Sequence, residues 1–171
     1  MLIREANAGD VPGIAAIYND AVNNTTAIWN ETPVSEQNRL EWLNTRQASG
    51  YPVLVAVSPA DEVLGYATFG DWRAFDGYRH TVEHSVYVHK DRRGAGIGKQ
   101  LMQVLIDKAR ALGKHVMVAG IEANNRGSVA LHEKLGFEHV GHLKQVGTKF
   151  GQWLDLAFLQ LTLDDRERPA N

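Results

Sequence analysis

The sequence predicts a single α/β domain: a mixed, mostly antiparallel sheet with helices on both faces. Three observations carry that prediction. Apolar runs of strand length alternate with stretches of helical spacing, in the order β-αα-β-β-β-α-β-α-β-β. The chain has 171 residues, the usual size of one domain, and no repeat, low-complexity tract or linker divides it. A glycine-rich turn joins a strand to the helix with the clearest apolar face.

Leu2 to Ala6 reads as a short first strand. Asp10 is placed to cap a helix, with Pro12 in the first turn, where its missing N–H costs little. Ile14, Ile17, Tyr18 and Ala21 form the apolar stripe of that helix, and Asn23-Asn24-Thr25-Thr26 breaks it. Ser35 caps a second helix carrying Leu40 and Leu43, closed by Gly50. Val53 to Val57 and Val63 to Phe69 read as a hairpin around Pro59-Ala60-Asp61-Glu62. His80 to Val88 is the next strand. Ile97 to Leu112 is the clearest helix, with Ile97, Leu101, Leu105, Ala109 and Leu112 on one face and Gly113 as its stop. Val116 to Ile121 reads as a strand, Ser128 to Leu135 as a short helix ended by Gly136, and Phe137 to Val146 as a weaker strand interrupted by Gly141. Leu154 to Leu163 is a long apolar closing strand. The domain is expected to span residues 1–164, and the charged tail 165–171, with Pro169, to fray. Trp29, Trp42 and Trp153 read as core residues.

Composition excludes several classes. A formal net charge of −2 provides no general attraction to nucleic acid or an anionic membrane. There is no cysteine, which rules out disulfides, thiolate nucleophiles and Cys-zinc sites. No signal-peptide core and no membrane-length apolar stretch is visible, so a cytoplasmic protein is expected. The histidines at 80, 84, 89, 115, 132, 139 and 142 are scattered without metal-ligand spacing, and no metal is expected.

Arg93-Gly94-Ala95-Gly96-Ile97-Gly98 stands between a strand and the best helix. Glycines here let a ligand approach the backbone, and the N–H groups from Gly94 to Lys99 converge at a helix N-terminus that favours an anion. The alternative is a tight turn in which the glycines serve packing alone. A Walker loop is excluded because Gln100 follows Gly98-Lys99. A dinucleotide fingerprint is excluded by the position late in the chain and the absence of an acidic residue where Gly113-Lys114-His115 stands.

This hexapeptide resembles the Arg/Gln-x-x-Gly-x-Gly/Ala signature of the GNAT acetyltransferases. Ser85-Val86-Tyr87-Val88 is similar to that family's fourth strand. Asn124-Asn125 and Leu131-His132-Glu133-Lys134-Leu135-Gly136-Phe137 resemble its second cofactor motif. The resemblance spans almost the whole chain. It narrows to the phosphinothricin and methionine sulfoximine/sulfone N-acetyltransferases on Ile17-Tyr18-Asn19, Trp72-Arg73, Thr81 to Val88, Leu131-His132-Glu133 and Lys149-Phe150-Gly151-Gln152-Trp153. It implies acetyl-CoA as co-substrate, held by Val86, Tyr87, Val88, Gly94, Ala95, Gly96, Ile97, Gly98, Lys99 and Asn125. It also implies a homodimer.

The chemistry so implied needs an amine freed of its proton, attack on a thioester carbonyl, and shelter for the departing thiolate. No enzyme nucleophile is required. Glu83 is the candidate base. Alternation of Glu83, Ser85 and Tyr87 with Val82, Val86 and Val88 also allows a plain solvated strand face. His132 stands where many family members carry tyrosine and is the candidate acid or thiolate partner. Arg73, in Trp72-Arg73-Ala74-Phe75, is the candidate anchor for a carboxylate or an oxidised sulfur or phosphorus group. Ala74, Phe75, Glu83, His84 and Ser85 are expected to line the same acceptor pocket. The expected activity is acetylation of a small amino-acid-like amine. Acetylation of a protein N-terminus or lysine, and non-catalytic sensing of acyl-CoA, are the alternatives.

Overall fold

The computed structural model describes residues 1–170. Its strands are β1 (Leu2–Glu5), β2 (Val53–Val57), β3 (Val63–Asp71), β4 (Thr81–Val88), β5 (Val116–Glu122), β6 (Glu138–Lys149) and β7 (Gln152–Thr162). Its helices are α1 (Val11–Asn24), α2 (Glu36–Ala48), α3 (Ile97–Ala111) and α4 (Arg126–Lys134). The order of strands and helices is the expected one. All seven strands form one sheet in the order β1-β2-β3-β4-β5-β7-β6. Every pairing is antiparallel except that of β4 with β5.

Strand alternation explains the two-sided core. Leu54 and Ala56 of β2 join Leu101, Leu105 and Met102 of α3 on one face. Val53, Val55 and Val57 join Ile14, Ile17 and Leu43 of α1 and α2 on the other. Both faces of β2 are therefore apolar, as a strand covered by helices on each side requires. Ser35 caps α2 as expected, its Oγ accepting from the Asn38 N–H at 3.0 Å, a contact worth about 1 kcal/mol.

Several expectations need correction. Asp10 does not cap α1 with its side chain. Its carboxylate is buried and receives both Arg4 guanidinium nitrogens at 2.7 and 3.0 Å and the Asn7 N–H at 2.9 Å. A bidentate charged pair outweighs one cap hydrogen bond. The weak strand after α4 runs to Lys149, three residues past Val146. Register shifts between His139 and Gly141 and between Leu143 and Gly147 let it continue where period-two reading breaks down. Trp153 is 69 % exposed and is not a core residue. Beyond β7, Asp164 Oδ1 lies 2.7 Å from His115 Nδ1, and Arg166 donates to the Gly113 carbonyl at 2.8 Å. Arg166, the second residue of the stretch expected to fray, is thus tied to the domain.

Candidate active site

The single parallel pairing in the sheet is short. Thr81, Val82 and Glu83 of β4 pair with Val116, Met117 and Val118 of β5, and there the ladder ends. β4 continues against β3 alone to Val88, while β5 continues against β7 to Glu122. The two strands therefore diverge into a fork, leaving backbone polar groups of Ser85–Val88 without a strand partner on that side. Backbone donors and acceptors in such a place require a partner from water or a ligand. An extended chain bearing amides fits this edge by the same hydrogen bonds that a strand would make.

The fork opens toward the glycine loop. After β4, His89 accepts from the Asp91 N–H at 3.1 Å and starts a short 3-10 turn over Lys90–Arg92. Gly94 and Gly96 then take φ of +83° and +78°, the left-handed region that side chains other than glycine avoid. A Cβ at Gly94 would meet nothing within 4 Å, and one at Gly96 only Gln100 Nε2 at 4.0 Å. Packing is thus not why these two positions are glycine. Gly96 caps α3 with no side-chain hydrogen bond. The first N–H groups of the 15-residue helix α3 lack intrahelical acceptors and are presented to an anion. Gly98 differs, because its Cβ would lie 3.5 Å from Leu131 Cδ2 and Val88 Cγ2. Gly96→Val is expected to raise the KM for acetyl-CoA by tenfold or more, roughly the loss of one good anion contact. It also lowers Tm through left-handed strain of about 1–2 kcal/mol. Titration of acetyl-CoA by calorimetry checks this, and unchanged affinity in the folded variant would place the phosphates elsewhere.

Glu83 stands where β4 and β5 part. Glu83, Ser85 and Tyr87 face the α1/α2 side, where Tyr87 packs with the second core, whereas Val82, Val86 and Val88 face α3. The Glu83 carboxylate lies over Gly120 of β5, where a Cβ would come 3.4 Å from Oε2. Partial burial raises its pKa, and the positive charge of Arg73 opposes the rise. A carboxyl tuned upward is suited to accept a proton. Arg73 lies exposed on the loop after β3, its guanidinium 4.5 Å above the Trp72 ring. Trp72 in turn meets Phe158 of β7 edge-on, with ring centres 5.5 Å apart. Ala74 and Phe75 lie exposed on the same loop, Phe75 at 77 %.

His84 and His132 meet on the opposite face of β4. Both are buried, and their Nε2 atoms are 2.8 Å apart. His132 Nδ1 lies 2.7 Å from the Ser128 carbonyl, one helical turn back. A carbonyl accepts only, so His132 carries its proton on Nδ1 and its Nε2 is a lone pair. His84 then donates from Nε2, and its buried Nδ1 makes no hydrogen bond of good geometry among the described residues, although the Val118 backbone works against the lowering of its pKa. Burial lowers both pKa values, that of His84 to about 3 with repulsion from His132 adding to it. The Ser128 carbonyl opposes the shift at His132. The resting pair is neutral, and the lone pair of His132 is already engaged. Asn125 caps α4, its Oδ1 accepting from the Ser128 N–H at 3.2 Å, which explains why that helix starts at Arg126 rather than Ser128.

A small cleft lies in the fork, bordered by Ser85, Tyr87, Gly120, Asn125 and His132 and closed on one side by Ala27. The contribution from the α1–α2 connection was not expected. Its only sequence signal is its length, since the 11 residues from Thr25 to Ser35 form no regular structure, and long loops in compact domains are usually functional. Among the described residues, no group of three or more His, Asp or Glu side chains is placed to hold a metal ion.

The chain is similar to known proteins along most of its length. The model of the acetyltransferase (GNAT) family matches residues 14–137. The L-methionine sulfoximine/L-methionine sulfone acetyltransferase of Pseudomonas aeruginosa is 64% identical over 162 residues, covering 95% of this chain and 94% of that one. An L-amino acid N-acyltransferase of Escherichia coli is 57% identical over 169 residues, covering 99% and 98% of the two chains. A Salmonella typhimurium acetyltransferase structure with its cofactor acetyl-CoA superposes with a TM-score of 0.96 at 54% identity, covering 99% of this chain and 97% of that one. The fork, the left-handed glycine loop and the full-length similarity agree: the chain belongs to the GNAT family of acetyltransferases.

Proposed function

We propose that the protein transfers the acetyl group of acetyl-CoA to the α-amine of a small amino-acid-like acceptor: methionine sulfoximine, methionine sulfone or phosphinothricin. The observation that carries this reading is the fork, which runs from the unpaired edge of β4 at the glycine loop to the carboxylate of Glu83. The names of the relatives at 64% and 57% identity support an amino-acid acceptor. Bound acetyl-CoA supplies the electrophilic carbonyl. The chain supplies the rest. Backbone groups of Val86, Tyr87 and Val88 hold the pantetheine arm, and the N–H groups from Gly94 to Lys99 hold the pyrophosphate. Asn125 borders the cleft. Glu83 takes the proton from the acceptor ammonium, directly or through one water. Arg73, whose charge reaches Glu83, offers a planar donor fork to an oxygen-bearing group of the acceptor. His132 is the expected acid or thiolate partner, but with its Nδ1–H given to the Ser128 carbonyl and its Nε2 engaged by His84 it borders the site as a neutral ring. The second nitrogen proton, shed as the tetrahedral intermediate collapses, neutralises the departing CoA thiolate.

A panel of amines assayed for CoA release tests the reading, and the absence of cysteine removes any protein thiol background. Methionine is expected to be poorer than its sulfone or sulfoximine by about one to two decades in kcat/KM. Donors aimed at the oxygens are left unpaired by a thioether, at roughly 1–3 kcal/mol. Arg73→Ala is expected to lower kcat/KM for the acceptor while sparing acetyl-CoA affinity. Preference for plain methionine or for a peptide N-terminus would defeat the narrow assignment.

We also propose a cytoplasmic homodimer. β6 is a sheet edge, and Val140, Leu143 and Val146 are 52 %, 42 % and 53 % exposed along it. Phe150 and Trp153 are exposed at its turn into β7. A long apolar edge is an aggregation hazard unless it is covered. Light scattering giving a monomer mass at micromolar concentration would rule the dimer out.

A further inference from the structure

Lys149, the last residue of β6, is 0 % exposed. Its ammonium donates to three main-chain carbonyls: Ala21 at 3.3 Å, Thr25 at 2.6 Å and Ile28 at 2.5 Å. An ammonium has three N–H groups, so each donor is used. Burial lowers its pKa, and attraction to Glu31 opposes that. A buried charge survives only where such bonds compensate its lost hydration. The position is also electrostatically apt, since the carbonyl end of α1 carries partial negative charge.

The bonded carbonyls belong to the end of α1 and the connection that follows it. Thr26 Oγ1 lies 3.5 Å from Glu122 Oε2 at the end of β5. Ala27 closes the cleft in which Ser85 and Gly120 also stand. Ile28 packs with Ala21 and Val22 against Tyr18 and Tyr87. The same hairpin holds the connection a second time. Trp29 donates from Nε1 to the Thr26 carbonyl at 2.9 Å and lays its ring over Gly147, where any Cβ would run into it. Farther along, the Asn19 amide exchanges two hydrogen bonds with the Val34 backbone at 2.9 and 2.8 Å. The segment from Thr25 to Ile28 thus carries Ala27, which lines the cleft, and is fastened in large part from β6.

We propose that Lys149 is a positioning residue for acetyl transfer: its ammonium latches the Thr25–Ile28 wall beside the acceptor position over Gly120. The proposal rests on the acceptor-site reading above. Lys149 touches neither reactant. It acts by fixing the backbone at Thr25 and Ile28, and so holding Ala27 between them at the edge of the cleft where the bound amine must be oriented. A wall free to shift by an ångström costs roughly 10- to 100-fold in reactivity toward the oriented amine. The glycine loop, built from a different part of the chain, is unaffected.

The lack of native cysteine allows a direct test. Lys149→Cys is unfolded in denaturant, alkylated with 2-bromoethylamine and refolded, which rebuilds the ammonium on a side chain one sulfur different from lysine. An unalkylated sample is refolded beside it. Both are assayed with the best amine of the wild-type protein, and acetyl-CoA affinity is measured by calorimetry. The unalkylated variant is expected to lose about 10- to 100-fold in kcat/KM for the amine, with acetyl-CoA affinity within about twofold. Aminoethylation is expected to restore most of the loss. Full activity without alkylation, a loss shared equally by acetyl-CoA binding, or failure of the restored ammonium to rescue would each overturn the latch. A variant that folds only after aminoethylation would assign the ammonium to the fold and overturn it as well. Absence of turnover by the wild-type protein with every amine would instead defeat the acceptor reading itself.

Discussion

Replacing Glu83 by glutamine is expected to lower kcat by about 10²- to 10⁴-fold, the usual worth of general-base catalysis, with acetyl-CoA affinity unchanged. The amide keeps the shape of the carboxylate over Gly120 but cannot accept the proton that the acceptor ammonium must shed. The pH profile gives a sharper readout. Burial raises the Glu83 pKa, and Arg73 opposes the rise. The base works only when deprotonated, so the acid limb of kcat/KM lies above the ordinary carboxylate range and activity increases with pH through it. Glu83→Gln removes that limb. Arg73→Ala removes the opposing charge and moves the limb to higher pH. A glutamine variant with wild-type kcat across the pH range, or an unmoved limb in Arg73→Ala, would take Glu83 out of the mechanism.

The parts of this site that were legible in the sequence are those encoded locally. The glycine loop announces itself because two glycines precede a strongly amphipathic helix and a third stands in its first turn. The alternation along Thr81–Val88 shows which residues share a face with Glu83. Elements with period-two or helical spacing were found in order because burial on both sheet faces leaves that spacing in the sequence. The features that were missed depend on partners distant in the chain. His84 meets His132 across 48 positions, and Lys149 reaches carbonyls more than 120 positions earlier. Asp10 reads as a cap because its local context allows one, while Arg4, six residues back, is the stronger partner. The end of β6 is not legible in the sequence because its bulges break the alternation. One cause lies in Asp155, which receives the Gln145 N–H at 2.8 Å and lies 2.8 Å from His142.

The left-handed loop and the fork have a common origin in β4. Up to Glu83 the strand has neighbours on both edges, and its side chains can be rigid. Beyond Glu83 one edge is open, and rigidity must come from elsewhere. It comes from β3 on the closed edge, from Tyr87 against Tyr66 at 5.4 Å between ring centres, and from the His84–His132 contact on the α3 side. The divergence of β4 from β5 is thus held by side chains at the places where backbone pairing has stopped.

The histidine pair gives the second large expected effect. His132→Leu leaves the His84 Nε2–H buried without its acceptor. An orphaned buried polar group costs about 1–3 kcal/mol, or roughly 2–4 °C in Tm per kcal/mol for a chain of this size. His84→Leu orphans the lone pair of His132 in the same way. Replacing both with leucine removes both needs at once, so the double variant is expected to be more stable than the sum of the singles predicts. Acid supplies an independent test. His84 has a pKa of about 3 when folded against an ordinary 6.5, so between those values the unfolded chain binds the proton and the folded chain does not. Stability therefore falls as pH drops below 6.5, by about 2 kcal/mol from this group at pH 5. The double leucine variant lacks that contribution and is expected to show a shallower decline between pH 7 and 5 in chemical denaturation. Strict additivity of the two single changes, together with an unchanged acid slope in the double variant, would show that the rings do not share a proton in the folded state.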